Sequence, residues 1–436
     1  MKKTEQFLKS IYNSLDKKRD SYLELGMALA STDHIDSVVE LSESPLYTRK
    51  HGQLYKTLVG VEIDKSLWLK ANHDLCSKTC ETLSGIEVYS GDSTFINRKD
   101  AKTLEGRTMK KLSNQEIAKG HELYWTMRLS ERSNSWAGVM QVDRMTRDDT
   151  VSSMAGRHMK AIDVLNTNKK LFVFDAGHGQ DILKDYQECK HSDIVMRLKG
   201  TQRFFKPPVT KPKGSKGRPP THGPMFKLSK ASDPVDQRVV SFKGKPLRIS
   251  YWQDLHYEKH SAVQGRIMKL EFLKESGEPV FQKPIWLFST DTDSDMEILA
   301  YAYLWRSSHQ LSFRFMKQHL ALTKQKSPDV TSCDHWYQLV ALAMNLLLSI
   351  RDSVQAQARP WQPVDLDKMP SQRQAQKRAL SFFSQVESPI RPTRPAGKGI
   401  GRHLGFLPTP RKVIPVLRKT PKRIKKCRSC GVPLAA

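Results

Sequence analysis

The spacing of apolar residues changes near Ile86, and this change constrains the fold more than any other feature of the sequence. Before it, Phe7, Ile11 and Leu15 recur every fourth residue, which indicates an amphipathic helix. After it come short apolar runs separated by turns and helical patterns. The runs cover residues 86–95, 136–145, 169–179 and 193–200, and the helical patterns cover 151–166 and 180–189. Strands that alternate with helices predict an α/β fold.

Composition and pattern divide the rest of the chain. Residues 200–227 carry seven Lys or Arg, six Pro and no acid, so they do not form a buried element. Strand-like runs follow, then a long helical pattern over 295–322 and a second helix from Asp334 to about Ala356. We predict five segments: an N-terminal helical unit (1–85), a first part of the core (86–199), a β-rich insertion with a basic arm (200–283), a second part of the core (284–356) and a basic, Pro-rich C-terminal region (357–436).

The net charge predicts a polyanionic partner. The chain has 72 Lys and Arg against 45 Asp and Glu, a formal net charge of +27, and such an excess attracts nucleic acid first and an anionic membrane surface second. Residues 391–436, called the tail below, contain 13 of these cations and no acid. The tail is therefore expected to follow a phosphate backbone without reading base sequence.

Other functional classes are disfavoured by composition. The most apolar stretch, Leu339–Ile350, has 12 residues, fewer than the roughly 20 that a membrane span needs. The first twenty residues lack the apolar segment of a secretory signal. Six scattered cysteines do not make a disulfide framework, and Cys427-x-x-Cys430 is only half of a zinc site. We therefore expect a cytoplasmic, nucleoid-associated protein that does not bind membranes.

Two aspartates and one helix carry the candidate chemistry. Asp92 lies after a strand-like run and Asp175 ends another, while Tyr303, Arg306, Gln310 and Lys317 lie on the helical pattern near 303–317. Enzymes that cut and join DNA bring carboxylates from separate elements onto two divalent metal ions about 3.5–4 Å apart. Aspartates that end core strands suit that arrangement, because a strand end faces the open edge of the sheet.

These residues resemble a known family. Tyr303, Arg306 and Lys317 have the spacing of Tyr-x2-Arg-x3-Glu-x6-Lys, the signature of bacterial insertion-sequence DDE transposases. The resemblance extends over about 86–425 and includes the run Phe313–Gln318 and the basic arm. It implies a ribonuclease H-like core interrupted by a β insertion, Asp92 and Asp175 as the first two catalytic acids and metal ligands, and Mg²⁺ or Mn²⁺ as cofactor.

The sequence departs from this family at the third acid. Gln310 stands where the family has Glu, and an amide brings no negative charge to a hard divalent cation. No Asp or Glu occurs from Ile298 to Pro328. Glu297 lies 13 residues upstream, about 20 Å along a continuous helix, so it cannot replace the missing acid.

Each candidate also has a purely structural interpretation. Asp92 fits a turn or a cap, and Asp175 fits the end of a strand. Tyr303 and Lys317 fit the buried and solvated positions of an ordinary helix. Two histidines near these positions, His178 and His309, are interpreted as surface or packing residues.

Contacts with double-stranded DNA are expected at four places. Tyr303, Arg306 and Lys317 would lie at the scissile phosphate, and Lys216 and Arg218 in the basic arm suit a narrow minor groove. The tail would contribute Lys422 and Arg423 to backbone contacts. Base reading is assigned to the N-terminal helical unit or to the β insertion, with no reading helix singled out.

Two functions follow. The first is a transposase of the DDE cut-and-join class that binds transposon ends and target DNA as a homodimer, with catalysis impaired by Gln310. The second is a transposase-derived DNA-binding regulator or recruitment factor without catalysis. A general RNA-binding protein is disfavoured because the sequence contains no RNA-reading module.

Overall fold

The structure, a computed structural model, describes residues 2–111, 115–130, 136–209, 220–355, 369–392, 403, 405–407 and 409–417. Its helices are α1 (Lys2–Asn13), α2 (Arg19–Ser31), α3 (His51–Gly60), α4 (Lys65–Thr79), α5 (Val151–Asp163), α6 (Ile182–Tyr186), α7 (Met296–Leu304), α8 (Ser307–His319), α9 (Val330–Gln355) and α10 (Gln372–Phe383). Its strands are β1 (Glu87–Asn97), β2 (Thr108–Lys111), β3 (Ile117–Leu129), β4 (Ala137–Arg144), β5 (Lys170–Phe174), β6 (Ser192–Arg197), β7 (Arg203–Phe205), β8 (Met225–Lys227), β9 (Asp236–Phe242), β10 (Lys245–Tyr257), β11 (His260–Phe272) and β12 (Ile285–Ser289).

The N-terminal residues are helical, as predicted. Phe7, Ile11 and Leu15 are buried, and the Asp64 carboxylate caps α4 by accepting the backbone N–H groups of Ser66 and Leu67. Helices α1–α4 pack against α9, and α4 also contacts β4. Their apolar faces therefore belong to the same buried cluster as the sheet.

One large mixed sheet organises the described part of the chain. Its strand order is β2-β3-β1-β5-β6-β12-β11-β10-β7-β8, with β4 added on β3 and β9 added on β10. Strand β1 is antiparallel to β3 but parallel to β5, and β5 is parallel to β6. The α/β class predicted from the alternating pattern is confirmed.

The segment after residue 200 is rich in β-strands, as predicted, but its strands continue the same sheet. Strand β12 pairs antiparallel with β6, with Leu287 opposite Arg197, and β11 pairs with β12. Strands β9 and β10 form a hairpin whose two turn residues, Lys243 and Gly244, have φ angles of 52° and 75°. Such a turn matches the twist of the paired strands.

Strands β2, β3, β7 and β8 and helix α10 were not predicted. The prediction that residues 200–227 form no buried element is wrong for β7 and β8, which pair with each other and bury Phe204 and Phe226. Strand β3 is the partner of β1 and is buried along most of its length, including His121, Glu122 and Arg128. Its polar residues do not match the apolar pattern of a buried strand. They are buried because their hydrogen-bond partners come from distant parts of the chain. Helix α10 lies in the region expected to be basic and Pro-rich, and it packs against α2, α8 and α9.

The prediction of one continuous helix over 295–322 is wrong. The helix stops after Leu304 and restarts at Ser307, with Trp305 and Arg306 in a turn. The Trp305 N–H bonds to the carbonyls of Tyr301 and Tyr303, which closes α7. The break places Arg306 immediately before α8, with its side chain against the sheet rather than along a straight helix.

Among the described residues, no helix combines the length and the apolarity required to cross a bilayer. The longest, α9, is buried against other helices and carries Asn345, whose side chain bonds to both the N–H and the carbonyl of Val139 in β4. The Asn345 side chain of α9 thus pairs backbone groups on the edge of β4 that does not pair with β3.

Candidate functional site

The two aspartates lie at matching levels of neighbouring parallel strands. The parallel pairing of β1 with β5 ends where Ser90 is opposite Val173, and Asp92 and Asp175 each lie two residues further on. Asp92 is therefore within β1 rather than in a turn, whereas Asp175 directly follows β5. Because side chains alternate along a strand, both carboxylates emerge on the same face of the sheet.

A single guanidinium joins the two carboxylates. Arg306 Nη2 donates to Asp92 Oδ2 at 2.7 Å and lies 3.5 Å from Asp175 Oδ2. The Arg306 side chain is only 11% exposed, against 20% for Asp92 and 36% for Asp175. Arg306, placed at the scissile phosphate by the resemblance, thus neutralises the candidate acids in this structure.

His178 fixes the second carboxylate from the other side. Its Nδ1 lies 2.9 Å from Asp175 Oδ1, and its Nε2 lies 3.0 Å from the Tyr124 hydroxyl. The Gly177 N–H also donates to Asp175 Oδ1 at 2.9 Å. His178 is a packing residue, as interpreted from the sequence, but it also orients a site carboxylate.

The pKa values of the two carboxylates are shifted in opposite directions. Burial raises the pKa of Asp92, the charge of Arg306 opposes this, and the charge of Asp175 adds to it. Burial also raises the pKa of Asp175, but the hydrogen bond and charge of His178, together with Arg306, hold that pKa well below its usual range. Asp175 is therefore the more firmly ionised of the two.

Helix α8 is fixed to β1 by a histidine next to the expected acid position. His309 Nδ1 lies 3.0 Å from Ser90 Oγ, and Phe313 packs edge-on against Trp125, the β3 residue opposite Asp92. Burial lowers the pKa of His309 to about 3, so its imidazole is neutral. Gln310, in contrast, is exposed.

The other two signature residues lie on either side of Arg306. Tyr303 is buried, and burial raises its pKa while the nearby charge of Arg197 opposes the shift. Lys317 is half-buried, and burial lowers its pKa, as does the charge of Lys110, while Asp92 raises it. The turn before α8 thus brings Arg306 into contact with the acids. Helix α8 places Lys317 close enough for the charge of Asp92 to raise its pKa.

The donor set does not fit the divalent metals that the resemblance implies. Within the described ranges, no three His, Cys, Asp or Glu side chains lie close enough together to hold a metal ion. Gln310 is exposed, and the Arg306 guanidinium already bonds to Asp92. A hard cation prefers several oxygen ligands, and this site offers it two carboxylates that share a fixed positive charge.

No protein-family model and no curated protein matches this chain.

Several predicted positions lie outside the described residues. They are Lys216, Arg218, Lys422, Arg423, Cys427 and Cys430. Part of the tail is described, and it packs on the sheet: the N–H groups of Ile414 and Leu417 donate to the carbonyls of Lys102 and Arg107, and Leu417 forms a parallel bridge with Thr108 of β2. Residues 409–417 therefore belong to the folded body.

Tyr124 and His309 were not recognised from the sequence as site residues. Tyr124 belongs to the unpredicted strand β3, and only its pairing opposite Ser93 of β1 brings it near the site. His309 has a usable signal, because it lies three residues after Arg306 and so on the same helical face. The Asp-x-x-His spacing of Asp175 and His178 is a similar local signal.

Gly91 is predicted to tolerate no side chain. A Cβ there would lie 2.0 Å from Tyr124 Oη and 2.9 Å from Phe174 Cε1. We expect Gly91→Ala to displace Tyr124 from His178 and to lower the free energy of unfolding by about 1–3 kcal/mol, measured by denaturant titration. Gly200→Ala is the control, because no atom lies within 4 Å of a Cβ there. Equal stabilities of the two variants would contradict the prediction.

Proposed function

We propose that the chain is a DNA-binding protein of the DDE cut-and-join transposase class that binds transposon-end DNA and has impaired catalysis. In this proposal strands β4, β3, β1, β5 and β6 form a ribonuclease H-like core, and the protein binds double-stranded DNA as a homodimer in the cytoplasm, at the nucleoid.

One observation carries the proposal. Asp92 and Asp175, from two adjacent parallel strands, both approach Arg306, which precedes the helix that bears Lys317. Parallel strands bring chain segments that are far apart in sequence to one edge of a sheet. The three parts that the resemblance joins in sequence are thus also joined in space, which an accidental match would not require.

The impairment follows from what stands at the third-acid position. The Gln310 side chain is exposed, while the adjacent His309 occupies the buried position toward β1. Two acids remain, and one guanidinium joins them. Retained catalysis would require Mg²⁺ or Mn²⁺, for which the residues present are a poor donor set.

The alternative function is a DNA-binding regulator or recruitment factor derived from a transposase. The ion pair between Arg306 and Asp92 favours it, since a protein selected only for binding can close its acidic site with a cation. Both functions involve the same DNA. They differ only in whether any strand cleavage remains.

The test compares the protein with two variants on the DNA that flanks its own gene, in the presence of Mn²⁺. We expect the protein and Gln310→Glu to bind this DNA more tightly than a random duplex at moderate salt, and neither to cut it. A carboxylate added at position 310 leaves the Arg306 guanidinium bonded to Asp92, so the acids stay neutralised. Binding is measured by footprinting and cleavage by denaturing gels of labelled DNA.

Cleavage by the unaltered protein that disappears in Asp92→Asn would overturn the impairment and assign an active transposase. Cleavage by Gln310→Glu alone would show that only the third acid is missing. If flanking and random DNA bind equally, or neither binds, the transposon-end proposal fails.

A further inference from the structure

We propose that Arg306 is a built-in counter-cation: it holds Asp92 and Asp175 together without a divalent metal ion, so that the site keeps its structure and its DNA affinity in the absence of metal. This inference deepens the proposed function but rests on it only where DNA is concerned. Its core is the disagreement between the donor set and the metal that the resemblance implies.

The first support is the bonding of the guanidinium. One nitrogen, Arg306 Nη2, serves both acids, at 2.7 Å from Asp92 Oδ2 and 3.5 Å from Asp175 Oδ2. A cation placed between two carboxylates removes most of their mutual repulsion, which is strong where water is scarce. The guanidinium is therefore a charge substitute at the position where the two acids face each other.

The second support is the way in which the backbone places Arg306. The residue lies in the break between α7 and α8, and its side chain reaches Asp92 in β1. One turn later, His309 bonds to Ser90, which is on the same strand and two residues before Asp92. Phe313 continues this contact by packing against Trp125. Helix α8 is thus attached to β1 directly below the ion pair.

The third support is the set of protein groups that bond to the remaining carboxylate oxygens. Its other oxygen, Oδ1, is already engaged by His178 and by the Gly177 N–H. In Asp92, Oδ1 accepts the N–H of Ser93 at 2.7 Å. Every carboxylate oxygen of the pair therefore has a donor or a cation within the protein. An incoming metal would have to displace these groups.

The experiment measures the melting temperature and Mn²⁺ binding of the full chain, in EDTA and in Mn²⁺ at matched ionic strength. We expect the unaltered protein to melt at the same temperature in both and to bind no Mn²⁺ at this site by electron paramagnetic resonance. Arg306→Met removes the charge and keeps the stem. It should melt lower in EDTA, and Mn²⁺ should recover part of the loss, because the two acids then lack a cation.

Arg314→Met is the matched control, because Arg314 lies on the same helix but is exposed. It should leave the metal response unchanged. If Arg306→Met does not fold, the unaltered protein still decides the question. A melting temperature that rises with Mn²⁺, and a rise that Asp92→Asn abolishes, would overturn the counter-cation.

The DNA measurement separates this inference from the proposed function. Affinity of the unaltered protein for its flanking DNA should differ by less than about twofold between EDTA and Mn²⁺ at constant ionic strength. A larger gain in Mn²⁺ that Asp92→Asn removes would overturn the inference while leaving DNA binding intact. Absence of DNA binding under both conditions would overturn the proposed function, and the melting data would still test the counter-cation.

Discussion

Replacement of Arg128 by methionine is expected to lower the free energy of unfolding by about 3–5 kcal/mol, the usual cost of removing one partner of a buried ion pair. Arg128 Nη1 lies 2.9 Å from Glu87 Oε2, and the side chains are 1% and 2% exposed. Methionine fills a similar volume but leaves the Glu87 carboxylate without its cation. Denaturant unfolding of the full chain measures the loss.

The remaining partners of Glu87 place the loss within that range. His73 Nε2 lies 3.8 Å from Glu87 Oε2. The Tyr89 hydroxyl donates to Glu87 Oε2 at 2.6 Å, and the side-chain amides of Asn166 and Asn168 donate to Oε1. These neutral donors keep the carboxylate hydrogen-bonded after the substitution, so its desolvation is only partly uncompensated. We therefore expect the lower half of the range.

A matched exposed arginine and a double variant provide the controls. Arg238 makes ion pairs with Asp236 and Asp295, but its side chain is 53% exposed, so Arg238→Met should destabilise the protein far less than Arg128→Met. Adding Glu87→Gln to Arg128→Met should recover part of the loss, because the uncompensated charge is removed. If the double variant is less stable than the single one, packing rather than charge explains the effect.

Acid titration gives an independent readout of the same pair. Burial raises the pKa of Glu87, but the hydrogen bond from His73, the charge of Arg128 and the hydrogen bond from Tyr89 hold it well below its usual range. A depressed folded-state pKa contributes stability that is complete above the unfolded value, about 4.3, and is lost as the pH falls below it. Because Arg128→Met raises the folded-state pKa, its stability should fall less steeply with acid.

The periodicity of the sequence was sufficient for the elements with simple patterns. The apolar run over 169–179 contains β5, the run over 193–200 overlaps β6, and the helical pattern over 151–166 contains α5. Strand β3 was missed because its residues include Glu122 and Arg128, whose burial depends on partners from other segments. Local pattern cannot report a polar residue that is neutralised from far along the chain.

The sequence was sufficient to select the two acids and the arginine of the site. It was not sufficient to predict how they are arranged. Asp92 and Asp175 were selected because they lie at strand-like runs, and Arg306 was selected from the resemblance; the structure brings all three together. The helix break at 305–306 could not be seen, since neither Trp305 nor Arg306 disrupts a helix by its own propensity. The carboxylates that Arg306 contacts come from segments more than 130 residues away, so local sequence does not reveal that contact.

The tail is expected to supply much of the DNA affinity. Residues 418–436 contain seven Lys or Arg and no acid, and each phosphate contact contributes about −0.9 to the slope of log affinity against log salt. Deletion of 418–436 should therefore make that slope shallower by up to about 6 and weaken binding by several orders of magnitude at moderate salt.

The deletion must begin after Leu417 to test charge alone. Residues 409–417 bond to Lys102, Arg107 and Thr108 at the edge of the sheet, and Arg107 is 3% exposed, so a deletion from Arg391 would also expose buried groups. Removal of 431–436, which carry no charge, is the matched control and should leave the slope unchanged. Fluorescence anisotropy with a random duplex over a salt series gives both slopes. If deletion of 418–436 also leaves the slope unchanged, these residues do not contact phosphates, and the affinity must come from other cations, such as those of 391–417 or Lys317.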